Sequence, residues 1–285
     1  MIHPGTERRD DPRSTGGKSL CTALEVFRSE LLSETCPWLR HGFSARRGGV
    51  SASVFASLNL GLHVGDSAAS VLENRRRFIH AALGPAADPG RAIAAEQVHG
   101  GAIARVKEID AGRGALTCAS AITGVDALAT DCPSLPLMLF FADCVPVLIA
   151  HPARRVFCVV HAGWRGTAAG IAAEAVRFLA AEFNADPGEF AAWIAPAIGS
   201  CCYEVDETVA RAVNGYINNY DGRPIVRKTR RLDLKAVNRK QLEGAGVQPD
   251  RIEVSPACSS CLPEQFFSYR RDGATGRMGL AALID

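Results

Sequence analysis

Three side chains in this sequence, His99, Cys144 and His161, are of types that can act together on one chemistry. Cys144 stands in Asp143-Cys144-Val145-Pro146, just ahead of an apolar run. His161 closes a second apolar run before Ala162-Gly163-Trp164-Arg165-Gly166. His99 lies in Gln97-Val98-His99-Gly100-Gly101, again where an element should end. A thiolate and two imidazoles form a soft donor set suited to zinc or Cu(I), and three protein ligands leave a catalytic metal one open position. Such a metal brings the pKa of a bound water to about 7. The same residues also fit a metal-free reading, in which Cys144 is a nucleophile, His161 its base and Asp143 the group that orients the imidazole. Separations of 45 and 17 residues match no local metal motif, so spacing alone leaves both readings open.

Two further patterns carry weaker signals. Phe43 to Ser51 places Arg46 and Arg47 beside Gly48-Gly49, a composition suited to binding an oxyanion through guanidinium and backbone N–H groups. A solvated turn has the same composition. Cys258-Ser259-Ser260-Cys261 is a C-x-x-C, and Cys201-Cys202 are adjacent. The C-x-x-C lacks a second pair at a usual zinc spacing and lacks the strand-to-helix setting of a redox motif, so these thiols are expected to be buried or incidental.

Positioning Cys144 beside His161 requires a hairpin. Val145 to Ala150, the turn at His151-Pro152, and Val156 to His161 are consistent with two antiparallel strands, which bring the start of the first beside the end of the second. Gly163 and Gly166 then let the chain turn sharply into a helix over Thr167 to Phe183. Other expected strands are Ala102 to Val106, Leu137 to Phe141, Trp193 to Ile198 and Arg251 to Val254. Other expected helices are Ala69 to Leu83, Asp206 to Tyr216, and Leu234 to Glu243 with Asp233 as N-cap. Strands and helices mix without strict alternation, which points to sheets with helices packed outside.

The bulk properties narrow the function classes. The chain has 285 residues, 47% hydrophobic and 22% charged, with a formal net charge of +2, so no large basic field recruits nucleic acid or an anionic membrane. No apolar run reaches the roughly 18–20 residues of a spanning helix. Arg8-Arg9 is followed by Asp10-Asp11 and polar residues without an apolar stretch, so no export signal is read. A cytoplasmic location follows as the expectation, with the ten cysteines as thiols or metal ligands. Residues 1–24, most plainly Met1 to Ser19, are expected to be a disordered tail, and 25–285 a single domain.

Several segments together resemble one family. They run Phe43 to Ser51, Ser57-Leu58-Asn59-Leu60-Gly61, Glu96 to Gly100, Asp126-Ala127-Leu128 and Ala142 to Pro146. They continue through His161 to Gly166, Ala195 to Val205, Leu232 to Lys235 and Phe267 to Gly279. In order and spacing these are similar to the laccase-domain family, also called multicopper polyphenol oxidase-like or peptidoglycan editing factor proteins. Its members are described as purine nucleoside phosphorylases with adenosine deaminase activity. The resemblance implies an α/β class fold, a layered α/β/β/α sandwich with mixed sheets, shared with the cytotoxic necrotizing toxins. It implies zinc, with copper as the alternative, at His99, Cys144 and His161; Asp143, next to Cys144, is the candidate carboxylate of the catalytic set, the proton carrier for any deamination. It further implies adenosine, inosine, guanosine or methylthioadenosine together with phosphate as substrates. Arg46 and Asn59 fall in matched segments and, with Arg165, are the candidates for phosphate and substrate binding.

The oxidase in the family name fails a physical check. A multicopper cluster needs closely spaced histidines, whereas the nearest two here, His151 and His161, are ten apart. The zinc-deaminase pattern H-x-E with P-C-x-x-C is also absent, so any deamination must use a differently built site. A cysteine hydrolase or peptidoglycan-precursor editing enzyme using Cys144 and His161 is the alternative class.

Overall fold

A computed structural model of the chain describes residues 24–213 and 230–285; residues 1–23 of the expected N-terminal tail and residues 214–216 of the helix expected over Asp206 to Tyr216 lie outside them. Two sheets carry the fold. The first holds β1 (Val26–Phe27), β2 (Leu39–Ser44), β10 (Met278–Ile284) and β5 (Leu137–Phe141), in that order and all antiparallel. The second runs β3 (Ile103–Arg105), β4 (Ala127–Thr130), β7 (Val156–Ala162), β6 (Val145–His151), β8 (Ala191–Ile194) and β9 (Ile252–Val254). Its outer pairs are parallel and its inner ones antiparallel.

The alternation of side chains along the central strands makes the layers. In β6, Val147 and Ile149 face one way and Leu148 and Ala150 the other, and all four are fully buried. Leu148, with Phe157, Val159 and Trp193, packs against Leu139, Phe141, Leu280 and Ala282 of the first sheet, closing the space between sheets. Val147 and Ile149 instead meet Ile171, Val176 and Leu179 of α4 (Ile171–Phe183) and Val237 and Leu242 of α6 (Leu234–Gly244). The outer face of the first sheet, at Met138, Phe140, Ala281 and Leu283, is covered by Phe78, Ile79 and Leu83 of α2 (Ala68–Leu83). The order is therefore helix, sheet, sheet, helix, the α/β/β/α sandwich expected from the sequence. The expected N-cap is present: the Asp233 carboxylate accepts from the Ala236 amide at 3.0 Å.

Three elements differ in their bounds from the sequence reading. The helix expected over Asp206 to Tyr216 is α5 (Glu207–Ala212), with its C-cap at Val213. The helix expected over Thr167 to Phe183 is two helices, α3 (Trp164–Ala168) and α4, separated at Gly170. Gly170 adopts φ 83°, a left-handed turn open to glycine, and α6 clamps the break from the side: Gln241 donates to the Thr167 carbonyl at 2.6 Å and Asn238 to its hydroxyl at 3.0 Å. The strand expected over Trp193 to Ile198 is β8, ending at Ile194; Pro196 follows, and it has no amide hydrogen to extend a ladder.

Candidate metal centre and active site

The hairpin β6–β7 pairs Pro146 with His161 and Val145 with Ala162, so Cys144, one residue before the first strand, lies at the same sheet end as His161. β4 runs antiparallel on the other side of β7 and pairs Ala127 with Val160. Asp126 therefore reaches the same end, and its carbonyl accepts from the His161 amide at 2.7 Å. His99 arrives on the loop before β3. Its backbone is left-handed, φ 61°, and its amide donates to Asp126 Oδ1 at 3.0 Å while that of Gly100 donates to Oδ2 at 2.6 Å. One buried carboxylate thus fixes both histidines: Asp126 Oδ1 is also 2.8 Å from His161 Nδ1.

The ligand atoms of His99, Cys144 and His161 lie within 4.8 Å of one another. The imidazole rings of His99 and His161 meet edge to face, with centroids 4.9 Å apart. A side chain at position 163 would invade this space, because a Cβ there would stand 3.0 Å from His99 Cδ2 and 3.2 Å from Cys144 Sγ. Gly166 has a parallel role: a Cβ would fall 2.6 Å from the Gly100 carbonyl, so its absence lets α3 rest against the His99 loop.

Charge in the centre is strongly shifted. Burial raises the Cys144 thiol, but the positive His161 ring and hydrogen bonds from both imidazoles outweigh it and bring the pKa down to about 6. Burial likewise works against charge on His161, yet the Cys144 thiolate and Asp126 push it up to about 9. Burial raises Asp126 too, but His161 and the two loop amides hold it below the usual carboxylate range. Without metal, both shifts run toward a thiolate–imidazolium pair with Asp126 behind it.

These residues fit a resident zinc. With Nδ1–H donating to Asp126, His161 Nε2 would be free to hold a metal, the carboxylate–histidine arrangement that fixes tautomer and ring direction at zinc sites. The donors are soft, and Gly163 keeps the adjacent volume clear.

The centre opens into a cavity of about 1140 Å³. Of the candidate residues outside the His₂Cys set, Asp143 and Arg165 line it, and Arg46 and Asn59 do not. Arg46 donates to the carbonyls of Ala56, at 3.0 and 3.2 Å, and Pro263, at 2.8 Å, and stacks 4.6 Å over the Phe267 ring. Its donors are directed at main-chain oxygens in this structure. Asn59 is fully buried; its Oδ1 accepts from the Arg277 amide at 2.9 Å and holds that chain segment instead of facing the cavity. Asp143 adopts φ 91° and already accepts two bonds, from Ser259 Oγ at 2.6 Å and from the Arg270 amide at 2.7 Å. The imidazole is oriented by Asp126, not by Asp143.

The sequence reading assigns no role to Asp126, Arg277, His63 or Tyr203, all but the first of which line the cavity. Two signals are available for Asp126: it opens the family-like segment Asp126-Ala127-Leu128, and it is a lone carboxylate ahead of an apolar run. Burial, with Arg277 and Arg75 nearby, lowers His63 to about 4, so it faces the cavity as a neutral ring near pH 7.

Fold and site together define a two-sheet α/β protein with a His₂Cys centre at the end of a central hairpin. The family model described as multi-copper polyphenol oxidoreductase laccase matches residues 40–285, and the chain belongs to that family. Among its relatives is the purine nucleoside phosphorylase YlmD of Geobacillus stearothermophilus, 43% identical over 242 residues, covering 83% of this chain and 87% of that protein. The YlmD of Bacillus subtilis, with the same description, is 36% identical, covering 83% and 85%. The crystal structure of the Geobacillus protein superposes with a TM-score of 0.82 at 41% identity, covering 88% of this chain and 93% of that one. A Bacillus licheniformis YfiH structure also gives 0.82, at 38% identity, covering 87% and 94%.

Proposed function

We propose that this chain is a zinc-dependent purine nucleoside phosphorylase that also deaminates adenosine. The observation that carries the reading is the His99–Cys144–His161 centre at the floor of a cavity shared with Arg165 and Arg277, in a chain whose relatives bear that name. In phosphorolysis a phosphate oxygen attacks the sugar C1′ as the bond to the purine nitrogen breaks, giving ribose 1-phosphate and free base. Arg165 holds the phosphate as a charged donor, and Arg277, whose Nη1 is directed at the Thr275 and Gly276 carbonyls, adds its remaining N–H groups and its charge. Trp164 and Tyr269, also lining the cavity, offer flat faces for the base. Zinc, when bound, supplies Lewis acidity at the floor. His99, Cys144 and His161 hold it, Asp126 orients the ring, and Asp143, accepting from Ser259 and the Arg270 amide beside Cys144, is the candidate carboxylate for proton transfer in deamination. The reading invokes no nucleic acid or membrane as a partner, in keeping with a formal charge of +2. The reading puts the enzyme in the cytoplasm.

A second reading is favoured by the thiolate–imidazolium pair: without metal, Cys144, His161 and Asp126 have the makings of a cysteine hydrolase, such as one editing peptidoglycan precursors. Product analysis with adenosine, with and without phosphate, before and after chelation, separates the two. The phosphorylase reading expects adenine only with phosphate, inosine in either case, and loss of both on chelation. Activity that survives or rises on chelation supports the hydrolase.

A further inference from the structure

The second sheet ends in a feature that the centre does not use. β8 and β9 are parallel, so the loops after them, 195–203 and 255–262, leave the sheet at the same end. They carry Cys201-Cys202 and Cys258-x-x-Cys261, and the structure brings the four sulfurs within 4.8 Å of one another. Cys261 Sγ lies 3.4 Å from Cys201 Sγ and 3.3 Å from Cys202 Sγ. We propose that Cys201, Cys202, Cys258 and Cys261 form a second metal site, a structural one, that takes a tetrahedral zinc ion.

Three observations support this. The first is distance: with Zn–S near 2.3 Å, the edge of a tetrahedral four-sulfur site is about 3.8 Å, a little above the 3.3 and 3.4 Å contacts at Cys261 and inside the 4.8 Å limit that all four sulfurs meet. A disulfide needs about 2.05 Å and joins only two sulfurs, whereas Cys261 is in contact with two others. The second is the loop itself. The Gly199 amide donates to Cys258 Sγ at 3.2 Å, a bond that favours thiolate, and a Cβ at Gly199 would stand 3.1 Å from Cys201 Sγ. The third is charge. Four thiolates around a divalent ion leave two negative charges, and cations hold the same loops by their carbonyls. Arg231 donates to Cys201, Arg271 to Ser259 and Ser260, and Lys235 to Ser255 and Ala257. Four sulfur donors without oxygen select zinc over magnesium or calcium.

The site would also steady the catalytic floor. Ser259, between the two ligands of the C-x-x-C, donates to Asp143 next to Cys144. Tyr203, next to Cys202, lines the cavity.

The test is a metal count on the full chain, independent of activity. Zinc is measured by plasma mass spectrometry in wild type, Cys144→Ala and Cys261→Ser. The result expected is two zinc ions per chain in wild type and one in each variant. In Cys144→Ala, cobalt(II) should give the intense sulfur-to-cobalt absorption of a four-thiolate tetrahedral site. Should Cys261→Ser fold poorly, alkylation of Cys144→Ala provides the answer: zinc should protect Cys201 and Cys261, which are otherwise exposed. No zinc in Cys144→Ala, iron in its place, recovery of a disulfide among the four, or alkylation indifferent to zinc would each overturn the proposal.

Discussion

Asp126 Oδ1 lies 2.8 Å from His161 Nδ1 and also accepts the backbone amide of His99, so a single carboxylate orients one proposed metal ligand and the loop of another. The carboxylate is fully buried, and its ionised state is held by these donors. Asp126→Asn keeps the size but weakens the pull on the Nδ1 proton. Zinc affinity should fall about 10–100-fold, as expected when a supporting hydrogen bond of this kind is lost. Competition against a calibrated chelator measures it, and unchanged affinity would show that Asp126 only closes the loop.

Gly163 gives a steric version of the same test. Its backbone, φ −70°, suits any residue, so alanine adds no backbone strain. The new methyl would crowd His99 and Cys144 alone. Gly163→Ala should lower metal content while leaving the melting temperature of the metal-free protein nearly unchanged. Full metal retention would mean that the ligands lie elsewhere.

The metal-free pair has a pH signature. Thiolate is the reactive form, and its fraction rises with pH through the pKa. With Cys144 brought down to about 6, alkylation at this residue should climb through pH 6 and level off above it. An unperturbed thiol would still be climbing near pH 8.5. Mass-spectrometric rates across this range on chelated protein decide between them, and added zinc should slow the reaction.

Arg46 and Arg165 should part company. Arg46→Ala strips two carbonyls of their donors and leaves Phe267 uncovered, which should cost about 1–2 kcal/mol of stability with little effect on the KM for phosphate. Arg165→Ala should leave stability intact and raise that KM at least severalfold. The reverse pattern would make Arg46 the anion residue.

How much of this was legible in the sequence depends on whether a partner lay nearby along the chain. The β6–β7 hairpin was readable because two apolar runs flank an obvious turn, and it carried Cys144 and His161 together. β10 was not: Met-Gly-Leu-Ala-Ala-Leu-Ile has little β-branching, and its strand state comes from pairing with β2 and β5 far away. Arg46 beside two glycines read as an anion loop, and nothing local shows that its donors are directed at Ala56 and Pro263. Cys201-Cys202 and Cys258-Cys261 read as unrelated, since only the parallel β8–β9 pair joins them.

The central claim is that phosphate is a reactant at the His99–Cys144–His161 centre. Incubating zinc-loaded protein with inosine and radiolabelled phosphate, and following label into ribose 1-phosphate, tests it most directly. The account predicts labelled ribose 1-phosphate in step with released hypoxanthine, and its loss in Cys144→Ala. Free ribose without label, or undiminished labelling in Cys144→Ala, would contradict it.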